Sequence, residues 1–391
     1  MDDAATATDT TPAKHAKRAR PLVVYLVTED WYFLSHRLPM ARAALAAGYD
    51  VHVVTHVAEG AAAIEAQGFS LHRVVWKRGS VNPLAFLANI AAVRRIYRAL
   101  DPDLVHHVAV QPSIVGSLAA GGLRALRLNA LTGLGFAFSS QTPKARLMRP
   151  LLRALLRHVL GHPRASVLVQ NGDDRAAVAA LGIAPARIAL IAGSGVETDR
   201  LTPLPEPAGP LTMAYVGRLL DYKGVRTLVA AHDILMRRGQ AVRLLIAGER
   251  DPANPDSIAE REIAGWGERP GISLLGHVED IRTVWQAAHI GVLASRREGL
   301  PKSLLEAAAC GRALVASDVP GCREIARPGV NALLVPPDDP PALADAIARL
   351  AKDADMRRRF GAAGRRLAES EFSADRIGRE TCALYDRLLG R

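Results

Sequence analysis

The sequence predicts an α/β protein of two facing, Rossmann-like doubly wound domains, and three observations predict it. Short apolar, β-rich runs alternate with longer Ala/Leu/Arg stretches of helical pattern from end to end, the signature of β-α units around buried parallel sheets. Each half of the 391 residues supplies six such runs, and the length is that of two domains. Between the halves, Leu201 to Pro210 holds four prolines and a glycine in ten residues, which no helix or central strand would tolerate.

Met1 to Arg20 mixes Ala, Thr and Asp with a basic end and lacks the apolar core of about 7 to 15 residues that a signal peptide needs, so residues 1–20 read as a disordered tail. In the first domain, residues 21–200, strands are expected at Leu22 to Val27, Val51 to Thr55, Leu71 to Val75, Leu104 to Val108, Leu128 to Leu131 and Val167 to Gln170. Residues 201–210 form the linker. In the second domain, residues 211–371, strands are expected at Thr212 to Val216, Arg243 to Ala247, Ile272 to Leu275, Ile290 to Ala294, Ala313 to Ala316 and Ala332 to Val335. Beyond Pro340 the pattern is almost wholly helical, and the last helix, in residues 372–391, is expected to pack back on the first domain. Two such domains place a ligand crevice at the carboxyl ends of their strands. Leu104 to Leu123 is long and uncharged but contains His106, His107, Gln111 and Pro112, a poor membrane span.

Three cysteines, Cys310, Cys322 and Cys382, form no C-x-x-C pair, so neither a disulfide framework nor a zinc ribbon is available and a reducing cytoplasm fits. The net charge of +11 is uneven: residues 1–200 carry 23 Lys/Arg against 14 Asp/Glu, residues 201–391 carry 27 against 25. No acidic residue lies between Asp103 and Asp173, whereas Arg124, Arg127, Lys144, Arg146, Arg149, Arg153, Arg157 and Arg164 all do. Such a block needs a partner or a structural reason.

Gly133-Leu134-Gly135 and Gly193-Ser194-Gly195 could open dinucleotide fingerprints, but the third glycine positions hold Phe138 and Thr198, and no G-x-x-x-x-G-K-[ST] loop exists. Hydride transfer and P-loop hydrolysis are refused together. In Val216-Gly217-Arg218-Leu-Leu-Asp-Tyr-Lys223-Gly224 a strand ends on glycine, two cations follow and a helix begins, an arrangement that suits a diphosphate. The alternative is a solvated loop with two surface charges.

A second segment, Arg297-Glu298-Gly299-Leu300-Pro301-Lys302-Ser303-Leu304-Leu305-Glu306-Ala307-Ala308-Ala309-Cys310-Gly311, runs from a strand through a Gly-Leu-Pro turn into a helix, with Pro301 suited to its first position and Gly311 to its end. Acid and nucleophile of a retaining glycosidase would stand about 5 Å apart. Eight residues with a helix between them put Glu298 and Glu306 nearer to about 10 Å, so they read as hydroxyl acceptors at two points of one extended ligand.

With the Glu298/Glu306 pair, Gly217-Arg218…Lys223-Gly224, Gly193-Ser194-Gly195-Val196 and Pro320-Gly321-Cys322-Arg323-Glu324, the chain resembles the retaining glycosyltransferases of family 4, of GT-B fold, over Leu22 to about Leu389. Thr28 to Pro39 and Leu131 to Gly135 look most like bacterial enzymes that extend polyprenyl-diphosphate-linked glycans. The resemblance implies that Arg218 and Lys223 bind the donor diphosphate, Glu306 the ribose and Glu298 the transferred sugar. It implies further that Gly299, Leu300, Pro301 and Lys302 hold sugar and phosphate, and that Gly276, His277 and Val278 hold the nucleobase. Leu104-Val105-His106-His107 matches a strand whose final histidine faces the sugar, which favours His107 as catalytic over His106 on the opposite face. Where many members carry a glycine pair after the first strand, this chain has Thr28-Glu29-Asp30-Trp31-Tyr32. Ser35, His36 and Arg37 either supply acceptor-binding donors there or merely open the next helix.

A nucleoside diphosphate leaves readily if its charge is stabilised, which Arg218, Lys223 and helix amides do without a metal. With no D-x-D cluster where a cation would be held, no metal and no other cofactor is expected; the donor, a UDP-sugar by the resemblance, is a substrate. With no second carboxylate close to Glu298, the front-face route that the resemblance implies is preferred, the departing phosphate oxygen taking the acceptor's proton. The acceptor class is a glycan or a polyprenyl-diphosphate-linked glycan, in surface polysaccharide or glycoconjugate synthesis. Arg149, Arg153 and Arg157 recur every four residues among leucines, a basic amphipathic helix suited to an anionic membrane surface; the alternative is a helix packed on its own domain with arginines in water. No aromatic platform accompanies them, so nucleic acid is not expected as a partner. The expected location is cytoplasmic, peripheral at the inner face of the cytoplasmic membrane. An epimerase of the same fold and a silent nucleotide-sugar-binding module are the competing classes; donor alone against donor with acceptor separates them.

Overall fold

The computed structural model describes residues 19–76, 82–133 and 143–391, with backbone only for 143–148. Most of the basic tail, Leu134, Gly135 and the side chains of Lys144 and Arg146 lie outside the described residues.

Strand β1 (Leu22–Glu29) is apolar through Val27 and covered on both faces, as a central parallel strand must be. Val23, Tyr25 and Val27 point into one hydrophobic layer, Leu22, Val24 and Leu26 into the other. Around it β2 (Asp50–His56), β3 (Ser70–Arg73), β4 (Leu104–Val108), β5 (Leu126–Leu131), β6 (Ala165–Val169) and β7 (Ile188–Leu190) complete a sheet in the order β3-β2-β1-β4-β5-β6-β7. The second sheet joins β8 (Thr212–Val216), β9 (Arg243–Ala247), β10 (Ile272–Gly276), β11 (Ile290–Leu293), β12 (Ala313–Ser317) and β13 (Ala332–Val335) in the order β10-β9-β8-β11-β12-β13. All pairings are parallel. Strand order reverses beside β1 and again beside β8, which opens a crevice at the carboxyl ends of both sheets. The edge strand β7, three residues long, is too short to show periodicity and was not expected.

The chain crosses between domains twice, and the crossings touch: Val196 N–H donates to Phe372 O at 2.8 Å, and Ala374 N–H to Val196 O at 2.9 Å. The returning helix Ala374–Leu389 lies on Leu38–Ala46, with Gly378 so close that a Cβ there would stand 2.6 Å from that of Ala43. Its Tyr385 hydroxyl sits 2.7 Å from that of Tyr25 and 2.6 Å from His106 Nδ1.

Much of the acid-free basic block has a structural reason. Arg127 donates to Ala120 O at 2.8 Å and Arg164 to Leu123 O at 3.5 Å, and Arg187, just beyond the block, donates to Leu160 O at 2.9 Å and Gly161 O at 3.2 Å. The Ala120, Leu160 and Gly161 carbonyls end the helices Val110–Ala119 and Pro143–Leu160, where cations offset the negative end of the helix dipole. In Pro143–Leu160 itself, Leu156, Val159 and Leu160 are buried, Arg153, Arg157 and Leu151 are exposed and Arg149 is half-buried. The Arg157 guanidinium lies over Gly182. Among the described residues no helix is long and apolar enough to cross a membrane.

Candidate functional site

After β8, Gly217 takes φ +151° and Gly248, after β9, φ +136°; a side chain on Gly248 would collide with Gly217 O, so the two strand ends need glycine to approach. The chain then makes a 3-10 turn, Asp221–Lys223, and Gly224 at φ +71° caps the helix Val225–Arg237. Arg218 Nη1 meets Asp251 Oδ2 at 2.6 Å. Lys223 Nζ reaches both carboxylate oxygens of Glu298, at 2.7 and 2.9 Å, and Ser295 donates to Glu298 Oε1 at 2.6 Å. Burial works against the Lys223 ammonium, but the Glu298 carboxylate outweighs it and the pKa is raised.

The second motif folds into the turn that follows β11 and the helix Lys302–Ala309. Pro301 precedes this helix at φ −74°, ψ 113° instead of occupying its first position. Leu304 N–H returns to Pro301 O at 3.2 Å, while the amides of Lys302 and Ser303, in the helix's first turn, find no partner among the described residues. Glu306 is buried, and burial raises its pKa against the pull of Lys302, whose Nζ lies 3.6 Å away. Glu298 and Glu306 are thus served by different cations. Gly311 at φ +72° closes the element. Beside it, Gly321 lets the backbone of Glu298 pass, since a Cβ there would lie 2.6 Å from Glu298 O.

From the first domain the helix Asp30–His36 reaches across. The Asp30 carboxylate is buried and accepts four backbone N–H groups, from Trp31 (2.7 Å), Ala58 (2.8 Å), Glu59 (3.1 Å) and Gly60 (2.7 Å), which pins the helix to the 58–60 loop. Asp30→Ala is expected to lower unfolding free energy by about 2 to 3 kcal/mol, because it strands these amides; urea denaturation within 0.5 kcal/mol of wild type would refute the anchor. At the helix's other end, Lys302 Nζ donates to Ser35 O at 2.8 Å and the Arg218 guanidinium stands 5.6 Å from the Trp31 ring centre. Asn171 Nδ2 donates to Gly299 O at 2.9 Å, and a Cβ on Gly299 would come within 2.5 Å of Thr132 O. Leu300 packs against Gly193. Cations, carboxylates and unpaired amides from the second domain therefore meet the first domain at one place.

His107 is not there. It lies inside β4, not at its open end, and is wholly buried, with Nδ1 2.8 Å from Asn129 Oδ1 and its ring against Gly116 of the neighbouring helix layer. Burial lowers its pKa to about 4, so it is a neutral core residue. His106 does occupy the opposite face, equally buried. Ser35 and His36 lie half-buried in the cleft, while Arg37 is buried and meets no carboxylate among the described residues. His277 is exposed between half-buried Gly276 and Val278 at the end of β10. Asp30, Asp251, Asn171 and Thr132 are the site residues that sequence reasoning missed.

Two family models match, that described as Glycosyl transferase 4-like over residues 22–160 and that described as Glycosyl transferases group 1 over residues 210–353. Over 91% of its length the chain is 26% identical to the N,N'-diacetylbacillosaminyl-diphospho-undecaprenol alpha-1,3-N-acetylgalactosaminyltransferase of Campylobacter jejuni, covering 98% of that protein. It is 34% identical to the alpha-D-kanosaminyltransferase of Streptomyces kanamyceticus over 44% of either chain. Among solved structures, sucrose-phosphate synthase from Thermosynechococcus elongatus superposes with a TM-score of 0.80 over 95% of this chain and 100% of that one, at 22% identity. Anabaena HepE in complex with UDP and glucose does so with a TM-score of 0.75 over 93% and 99%, at 18% identity. The expected two-domain GT-B fold is thereby shown.

Proposed function

We infer that this chain, which belongs to the 4-like, group 1 glycosyltransferases, moves a sugar with retention from a UDP-sugar to a polyprenyl-diphosphate-linked glycan. The observation that carries the reading is the meeting of Arg218, Lys223, Glu298, Lys302 and Glu306 with the first domain at one point of the crevice. Support for the donor comes from the HepE complex with UDP, and for the acceptor from the name of the Campylobacter relative. The comparisons do not favour the epimerase or the silent binding module.

In this reading Arg218, Lys223 and the amides of Lys302 and Ser303 take the diphosphate, Glu306 accepts from the ribose and Glu298 from the transferred sugar, with Gly276 to Val278 beside the base. As the sugar–phosphate bond breaks, negative charge grows on the phosphate oxygen that these donors surround, and that oxygen takes the acceptor's proton as the new glycosidic bond forms. A thermal-shift panel of UDP-, GDP- and ADP-sugars, followed by transfer assays with the donor that stabilises most, tests it; no shift with any of the three defeats it.

Because the cations are those of the chain itself, transfer is expected to persist in excess EDTA. Activity lost to chelator and restored by Mg²⁺ or Mn²⁺ would overturn that expectation. The same reading places the enzyme at the inner face of the cytoplasmic membrane, with Arg149, Arg153 and Arg157 toward anionic headgroups. Each then contributes about 1 kcal/mol of attraction, screened within a Debye length of about 10 Å at 0.1 M salt. Changing all three to Glu is expected to release the protein from anionic vesicles and to slow transfer to a lipid-linked acceptor, sparing a short soluble one. Equal co-sedimentation of wild type and triple variant would end the membrane reading.

A further inference from the structure

The three cations of the crevice already have carboxylates: Arg218 has Asp251, Lys223 has Glu298, and Lys302 lies 3.6 Å from Glu306. Charge in the cluster therefore nearly cancels, and among the described residues buried Arg37 pairs with no acid, its guanidinium lying against Met40 Sδ. Against these cations sits an imidazole from the other domain. His36 stacks flat on Tyr32, with ring centres 4.3 Å apart and 5° between planes, and its Nδ1 lies 2.5 Å from Ser35 Oγ. The neighbouring Ser35 carbonyl accepts from Lys302. The ring is fixed from two sides, and among the described residues Nε2 has no hydrogen-bond partner.

We propose, on the reading of the cleft as a nucleotide-sugar site, that His36 is the first domain's hydrogen-bond donor to the donor diphosphate, its Nε2 meeting the phosphates that Arg218, Lys223 and Lys302 approach from the second domain. If the Ser35 hydroxyl donates to Nδ1, the ring proton is held on Nε2, where an anion needs it. Burial first, then the positive charges of Lys302, Arg37, Lys223 and Arg218, hold His36 well below its ordinary pKa in the empty crevice. Glu298 faces the same space through Lys223, and Tyr32 covers the ring. A diphosphate seated among those four cations reverses their effect on the imidazole, so His36 gains proton affinity on binding. The sign follows: a pKa raised by the ligand means proton uptake on binding, with affinity gained as pH falls through the bound-state value and lost as it rises above it. Because His36 belongs to the first domain, this bond forms only when the domains meet, and so couples diphosphate capture to closure.

The test is titration calorimetry of the full chain with UDP, GDP and ADP and with each parent nucleoside, in two buffers of different ionisation enthalpy. His36→Ala is expected to weaken the diphosphate by at least about tenfold, the loss of one hydrogen bond to a charged group, and to leave nucleoside binding unchanged. His36→Gln, whose amide nitrogen reaches the place of Nε2, recovers most of the affinity. Proton uptake, present in wild type, is absent from both variants. Unchanged diphosphate affinity in His36→Ala, a parallel loss for diphosphate and nucleoside, or proton uptake that persists in His36→Gln each overturns the role of His36 and leaves the donor reading intact. Failure of wild type to bind any of the three diphosphates overturns the donor reading and the role of His36 together.

Discussion

Glu298→Gln lowers kcat by about a thousandfold while donor affinity stays within a few-fold of wild type, the pattern of a group that acts on the reacting sugar and not on the nucleotide. The side chain is 8% exposed and oriented by both Lys223 contacts and by Ser295. Its charge is therefore fixed in a site from which water is largely excluded, where it counts for most as positive charge develops on the sugar. The amide keeps the shape and one acceptor for Lys223, so this variant folds. Glu298→Ala also strands a buried ammonium, which costs about 3 kcal/mol of stability when one partner of a buried pair is removed. Glu306→Ala and Arg218→Ala show the converse, weaker donor binding with a smaller effect on turnover. Steady-state kinetics beside donor Kd decide between the roles: unchanged kcat in Glu298→Gln, or unchanged Kd in both of the others, reverses the assignment.

Gly299→Ala is expected to cut kcat by about a hundredfold, as misplacement of about 1 Å does, with the melting temperature preserved and the donor bound about tenfold more weakly, the share that His36 adds when the domains meet. A Cβ at this position would stand 2.5 Å from Thr132 O and 2.9 Å from Gln170 Oε1, both in the opposite domain. The clash exists only when the domains are together, so the second domain folds as before and keeps its own contacts to the nucleotide. What is lost is the seating of the Glu298–Lys302 segment against Asn171 and Leu300's fit on Gly193. Equal kcat, or a loss of melting temperature that matches the loss of activity, would show that the contact does not govern closure.

The parts of this site that were legible in the sequence are those whose chemistry is local. Glu298, Glu306 and the Gly-Leu-Pro turn announce a strand-to-helix corner within fifteen residues, and Gly217 to Gly224 does the same around two cations. Asp30, Asp251 and Asn171 were not legible because their partners are tertiary: Asp30 holds residues 58–60, Asp251 meets Arg218, and Asn171 meets Gly299, 128 positions away. His107 misleads because a place near the end of a strand is not an open end: β4 stops at Val108 as expected, but the ring turns into the layer that Gly116 and Asn129 line and is buried there. Pro301 misled by a single residue, since its ψ of 113° keeps it outside the helix.

The return of the last helix to the first domain sets the order in which the molecule can be finished during synthesis. The first domain's own strands are complete at Leu190, yet Tyr25 finds its buried partner only in Tyr385, 360 positions later. At elongation rates of about 5 to 20 residues per second, roughly ten to forty seconds separate those two moments. Throughout that interval the apolar face of Leu38–Ala46 that Ile377, Leu384 and Tyr385 will cover stays uncovered. The second domain, whose β8 to β13 and covering helices end before residue 371, has no such wait. The domain made first is thus covered last, when the helix Ala374–Leu389 closes over it.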